Sequence, residues 1–145
     1  MKDPLIDQVL AGRFRVRSRI GEGGMSVVYL GRDETSGGEV ALKVLHRHLL
    51  DQGDFLARFH QEARTAGKLD HANAVRVFDS GDHEGLPYIA MEYCGGRSLK
   101  RIIREEAPLE PGRAADLATQ ILEALAAAHR VGIIHRDLKP ENVRV

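Results

Sequence analysis

His135-Arg136-Asp137-Leu138-Lys139-Pro140-Glu141-Asn142 is the stretch on which the reading of this chain turns. An acid, a cation and a neutral amide follow one another within six residues of it, at Asp137, Lys139 and Asn142. Asp137 is able to accept a proton from an attacking hydroxyl, and Lys139 to neutralise a phosphoryl group in transfer. Asn142 offers a neutral oxygen ligand to Mg²⁺. The plainer alternative is a charged surface loop after a helix. Acid, cation and amide together are the set needed to hold a hydroxyl, a phosphate and a metal ion, which weighs against it.

The rest of the composition narrows the partners. Of the 145 residues, 43% are hydrophobic and 29% charged, which is ordinary for a globular domain with a real core. Lys+Arg and Asp+Glu both number 21, so nothing electrostatic points to nucleic acid or to an anionic membrane. No apolar run approaches a spanning helix, and Met1-Lys2-Asp3-Pro4 does not open a signal-peptide core. Cys94 is the single cysteine, so no intrachain disulfide forms, in keeping with a cytoplasmic location. His46 and His48 are the one close histidine pair, and without further ligands they read as a surface pair rather than a zinc site.

Upstream of the opening stretch, the hydrophobic period changes along the chain. Residues 3–10 read as a short helical lead-in broken by Gly12. Phe14, Val16 and Ile20, then Val27 to Leu30, then Val40 to Leu45 predict three antiparallel strands joined by tight turns. Phe55, Phe59, Ala66 and Leu69 recur at helical spacing, with Asp54 as N-cap. Val75 to Phe78 and Leu86 to Met91 predict two more strands around a Ser80–Gly85 turn. A short helix is expected over Leu99 to Arg104. A longer one starts at Pro111, carries a stripe of Leu117, Ala118, Ile121, Leu122, Leu125 and Ala128, and ends at Gly132. The order is α+β: a five-stranded sheet with one helix, then a helical region.

Two features of the predicted sheet carry chemistry. Gly21-Glu22-Gly23-Gly24-Met25-Ser26-Val27-Val28 lies between two strands, where glycines let backbone approach a phosphate and adopt angles other residues resist. A lone glycine-rich turn is more often just a hairpin, but strand–loop–strand excludes a Rossmann unit, which needs a helix next. Lys43 ends the strand segment Val40-Ala41-Leu42-Lys43, where many a lysine merely points to solvent. Phe55, Phe59, Glu62, Ala66 and Leu69 step by four, three, four and three, which puts Glu62 inside an apolar stripe. A carboxylate on an inward face needs a cation, and Lys43 is the natural one. Gln61 adjoins Glu62, so a phase slip of one residue would exchange them.

Residues 135–142 closely resemble the catalytic loop of eukaryotic-type protein kinases, and the other motifs resemble parts of the same family. Of its pattern G-x-G-x-x-G-x-V, Gly21, Gly23 and Val28 match, Gly24 lies within, and Ser26 stands where the third glycine would be. Val40-Ala41-Leu42-Lys43 is similar to the strand with the phosphate-binding lysine, and the resemblance pairs Lys43 with Glu62. Met91-Glu92-Tyr93-Cys94 looks like the hinge that binds the adenine edge, with Met91 as gatekeeper; Val28 and Ala41 would wall the adenine. The resemblance makes Asp137 the catalytic base, Lys139 the cation at the phosphoryl group and Asn142 a metal ligand. His135 becomes a support, and Arg136 the partner of an activation-loop phosphate. Lys139-Pro140-Glu141 is similar to serine/threonine kinases, and Gly-Glu-Gly-Gly-Met and Arg-Phe-His-Gln-Glu-Ala-Arg to their bacterial branch. ATP, Mg²⁺ and a protein carrying a serine or threonine hydroxyl are the implied ligands.

The resemblance runs from about Phe14 to Val145, where the chain stops without Asp-Phe-Gly, activation segment or Ala-Pro-Glu. It implies a lead-in (1–12), a small lobe (13–93) and a hinge with the truncated start of a large lobe (94–145). The expected function is ATP-dependent phosphorylation of protein serine or threonine. The alternative is an inactive, truncated module that binds a nucleotide or a partner. A small-molecule phosphotransferase such as an aminoglycoside kinase is disfavoured by Lys-Pro-Glu-Asn. Self-association through the apolar stripe of the long helix is a further expectation.

Overall fold

The structure, a computed structural model, describes residues 2–145. The chain folds as two compact units. One takes the chain through Lys68 together with Arg76–Tyr93, the other Leu69–Val75 together with Cys94–Val145.

The first unit is a six-stranded antiparallel sheet with one α-helix. In chain order its elements are β1 (Val9–Leu10), β2 (Phe14–Glu22), β3 (Ser26–Asp33), β4 (Glu39–Leu45), α1 (Gly53–Ala66), β5 (Val77–His83) and β6 (Leu86–Glu92). The strand order is β1-β2-β3-β4-β6-β5. Strand β1 replaces the helical lead-in expected over residues 3–10. Asp7 and Ala11 take φ of 72° and 50°, which no right-handed helix allows. Leu5 and Leu10 instead bury against Phe14, Val16 and Tyr29 on one face of the sheet. That burial stabilises more than an isolated turn or two of helix, which is marginal in water.

Ile20 departs from its expected inward position and is exposed. Strand β2 shifts register against β3 twice, between Val16 and Ser18 and between Arg19 and Gly21. Each shift inserts one unpaired residue, and Ile20 is the second. Gly31 on β3 is required by close approach: a Cβ there would sit 2.6 Å from Leu42 Cδ1 and 2.8 Å from the Arg15 carbonyl. Asp54 is not the cap of α1. Gln52 holds that position without a side-chain hydrogen bond, and Asp54 lies in the first turn, where its charge suits the helix dipole. Strand β5 begins at Val77 and continues to His83, so the hairpin turns at Glu84 and Gly85, both at positive φ.

The second unit holds α2 (Leu99–Glu106) and α3 (Pro111–Arg130). Ser98 caps α2, its Oγ accepting from the Arg101 N–H at 3.1 Å. Glu110 caps α3 by accepting from the Gly112 and Arg113 N–H groups, and Pro111 occupies the first turn. Gly132, at φ 81°, ends α3. Its N–H donates to the His129 carbonyl and that of Ile133 to Ala128, a Schellman closure. Of the apolar stripe on α3, Ala128 is buried, Leu117, Ile121 and Leu125 are half-buried, and Leu122 is 63% exposed.

Candidate active site

Strand β4 sends Val40, Leu42 and Val44 to one face of the sheet and Ala41, Lys43 and Leu45 to the other. On β3, Val28 lies opposite Lys43 and Leu30 opposite Ala41; on β6, Ile89 lies opposite Lys43 and Met91 opposite Ala41. Residues directly opposed across antiparallel strands share a face. Val28, Ala41, Lys43 and Met91 therefore line one surface. Helix α1 packs on that side, burying Phe59 and Ala63 with Leu45 and Ile89, and Met91 rests against the cluster.

Lys43 Nζ reaches Glu62 Oε1 at 2.5 Å. Their side chains are 24% and 48% exposed, so Glu62 is not inside the apolar stripe as its spacing suggested. At 3.6 residues per turn it falls about 60° to one side of Phe59, on the flank of the row made by Phe59 and Ala63. The pair is held by charge and hydrogen bonding at a boundary, not forced by burial.

Between β2 and β3 the glycine-rich stretch forms a closed turn. Gly21 lies opposite Val28, and the Gly23 N–H donates to the Ser26 carbonyl at 2.8 Å. Ser26 is buried. None of Gly21, Gly23 and Gly24 has a positive φ, so unusual backbone angles do not explain them. A Cβ added at any of them would meet nothing nearer than 3.9 Å. Their smallness leaves the space over the turn open. Among the described residues, the N–H groups of Gly24 and Met25 donate to nothing in the chain. Such backbone donors suit a phosphate oxygen.

At the end of β6, the Glu92 N–H donates to the Arg76 carbonyl at 2.8 Å, and the Glu92 carboxylate lies 3.4 Å from the Arg76 N–H. That N–H is thus already engaged. Cys94, half-buried, opens the second unit.

In the second unit, Asp137, Lys139 and Asn142 come together. Asn142 Nδ2 donates to the Asp137 carbonyl at 2.9 Å and lies 3.5 Å from its carboxylate. Lys139 Nζ is 3.4 Å from Asp137 Oδ2. The His135 Nδ1 accepts from the Asp137 N–H at 3.2 Å, and between them Arg136 takes φ 67°. A non-glycine residue there is strained by about 1–2 kcal/mol, a cost seen most often at functional loops. The loop is fixed from below. Lys100 holds Glu141 at 2.9 Å, and the Leu99 N–H donates to the Val143 carbonyl at 2.8 Å. The Lys100 hydrogen bond lowers the Glu141 carboxyl from its usual range.

With Nδ2 spent on Asp137, the Asn142 side chain has its amide oxygen left for a cation, beside the Asp137 carboxylate. Among the described residues no three His, Cys, Asp or Glu cluster as a complete metal cage. The amide oxygen of Asn142 still suits Mg²⁺, which keeps several waters and takes one or two side chains plus phosphate oxygens.

The fold is a sheet with a charged lysine–glutamate pair on one face, joined in one chain to a helical unit with an acid–lysine–amide loop. Residues 14–145 match the protein kinase domain family, to which this chain belongs. It is 44% identical over 144 residues to the serine/threonine-protein kinase pkn3 of Myxococcus xanthus, covering 99% of this chain and 26% of that protein. It is 40% identical over 141 residues to the serine/threonine-protein kinase PrkC of Bacillus subtilis, covering 97% of this chain and 22% of that one. The crystallised kinase domain of Mycobacterium tuberculosis PknI superposes with a TM-score of 0.81 at 31% identity, over 100% of this chain and 59% of that chain. The chain thus spans about a quarter of the length of these curated relatives.

Proposed function

We propose that this chain is the nucleotide-binding and catalytic-loop part of an ATP-dependent serine/threonine protein kinase. The observation that carries the reading is the 2.5 Å contact between Lys43 and Glu62 on the face shared with Val28, Ala41 and Met91. A lysine so oriented is able to meet phosphate oxygens while apolar neighbours take a base. In this reading 13–93 is the small lobe, 94–145 the hinge and the start of the large lobe, and 1–12 a lead-in. Gly21, Gly23, Gly24 and Ser26 cover the phosphates. Val28, Ala41, Met91, Glu92 and Cys94 frame the adenine.

Asp137 accepts the proton of a protein serine or threonine hydroxyl, and Lys139 offsets charge on the phosphoryl group. The amide oxygen of Asn142 holds Mg²⁺, which when bound neutralises charge on the phosphates. The reading assigns the cytoplasm, where ATP is available, and among the described residues no helix is long and apolar enough to cross a membrane. Calorimetric titration with ATP and Mg²⁺, for the unmodified chain and Lys43→Met, tests the site. Binding that Lys43→Met weakens supports it; binding indifferent to Lys43 overturns it. Nucleotide binding without phosphoryl transfer in any longer form would favour the inactive binding module instead.

A further inference from the structure

His46 follows β4 three residues after Lys43, and it reaches both arms of the glycine-rich turn. Its backbone N–H donates to the Met25 carbonyl at 2.9 Å, and its ring Nε2 lies 2.9 Å from the Gly23 carbonyl oxygen. A carbonyl only accepts, so Nε2 carries the proton in this contact. The turn between those two contacts is itself closed by the Gly23 N–H on the Ser26 carbonyl. His46 is therefore the group through which the turn is tied to the end of the lysine-bearing strand.

The surroundings fix the ring. Its side chain is 14% exposed, and the His48 ring stacks on it at 5.1 Å between centroids and 25° between planes. Glu22, the residue before Gly23, places Oε1 3.9 Å from Nε2, and its other oxygen accepts from Arg19 at 3.2 Å. Nε2 of His46 is thus spent on the turn and is not left for a metal.

We propose that His46 is a positioning residue for the glycine-rich turn, holding the free N–H groups of Gly24 and Met25 at a set distance from Lys43 so that both meet the phosphates of one nucleotide. This rests on the nucleotide reading given above. An unfixed glycine-rich turn samples many backbone states, and ordering it on ligand binding costs affinity. His46 lowers that cost in advance. Its hydrogen bonds go to Gly23 and Met25 rather than to Val28, Ala41 or Met91, so its effect is expected on phosphate binding.

The test compares ATP with adenosine, binding of each measured by NMR titration of the full 145-residue chain. His46→Ala is expected to lower the preference for ATP over adenosine by about fivefold, a loss of ~1 kcal/mol. His46→Gln, whose amide is able to donate to the same carbonyl, recovers part of it. The ¹⁵N shifts of the unmodified chain are expected to show His46 protonated on Nε2. Equal loss of ATP and adenosine binding in His46→Ala, an unchanged preference, or a bare Nε2 at neutral pH overturns the proposal. An unmodified chain with no preference for ATP over adenosine overturns the nucleotide reading itself, and this proposal with it.

Discussion

Lys43 and Glu62 meet at 2.5 Å although 19 residues and a change from strand to helix separate them. Glu62 keeps about half its side-chain surface in solvent, so the pair adds little to folding. Exposed ion pairs contribute about 0.2–1 kcal/mol. Its value lies in orientation: a carboxylate at Nζ keeps the lysine directed along the face that Val28 and Ala41 share.

Stability and binding should therefore separate. Glu62→Gln is expected to change unfolding free energy by no more than about 1 kcal/mol, yet to weaken ATP about tenfold, or ~1.4 kcal/mol. Lys43→Met should weaken ATP at least as much, since it also removes the contact with phosphate, and the double variant should be no worse than Lys43→Met alone, because Glu62 acts through Lys43. Additive losses in calorimetric titration would show that the two residues act separately.

Phe59 anchors α1 to the sheet and is 1% exposed, packed with Leu45, Leu49, Ala63 and Ile89. Phe59→Ala leaves a cavity no neighbour fills, and the expected cost is about 3–5 kcal/mol. Urea unfolding measures it. A loss below about 1 kcal/mol would mean that α1 is held by something other than this contact.

How much of this was readable in the chain depends on how local each contact is. Strands β3 and β4 follow from the apolar runs Val27 to Leu30 and Val40 to Leu45, each set off by a turn, and α3 from Pro111 at one end and Gly132 at the other. The gathering of Asp137, Lys139 and Asn142 lies within six residues, so spacing alone brings it close. Ile20 was misplaced because two register shifts in β2 break the period of two. The lead-in departs from its helical expectation because Tyr29, one of its partners in the core, lies beyond any local window. His46 escaped for the same reason: its partner Gly23 is 23 residues upstream, and only the β3–β4 pairing brings them together.

Asp33 gives the chain a pH dependence whose sign is fixed. Its carboxylate is buried, receives the Arg13 guanidinium at 2.9 and 3.1 Å, and accepts from the Thr35 N–H at 2.9 Å. Arg13 above all, against the opposing effect of burial and with help from the backbone donors, holds its pKa well below the usual carboxylate range. A depressed folded pKa means stability that is complete above the unfolded value of about 3.9 and lost as pH falls toward the folded one. Acid unfolding followed by circular dichroism should show this loss below about pH 4. In Asp33→Asn the contribution should be absent at neutral pH, and the slope below pH 4 correspondingly shallower. An unchanged slope would remove Asp33 from the account.

Leu122 and Ile134 are 63% and 66% exposed in the helical unit, and Leu138 and Val131 are half-exposed. Apolar side chains presented this way favour contact with a second copy of the chain. Sedimentation velocity across a concentration series should show reversible self-association, reduced by Leu122→Glu. A monomer that persists at high concentration would show that these side chains are tolerated in water.

Phosphoryl transfer is the last test of the proposed reading. Catalysis of this kind is positioning plus stabilisation of charge on the phosphoryl group. These 145 residues hold Lys43, Asp137, Lys139 and Asn142 but no Asp-Phe-Gly, and so no metal carboxylate from that motif. Removing one stabilising group from a charged transition state typically costs about 10²–10³ in rate. The 145-residue polypeptide alone is therefore expected to transfer phosphate to a generic protein substrate at least that much more slowly than a longer form supplied with the rest of a kinase large lobe. In the longer form Asp137→Asn should abolish transfer while leaving ATP binding intact, since the proposed role of Asp137 is on the substrate hydroxyl and not on the nucleotide. The assay is transfer from labelled ATP with Mg²⁺, run on both lengths. Fast transfer by the short polypeptide, lost on Asp137→Asn, would mean that the two units described above suffice for the chemistry.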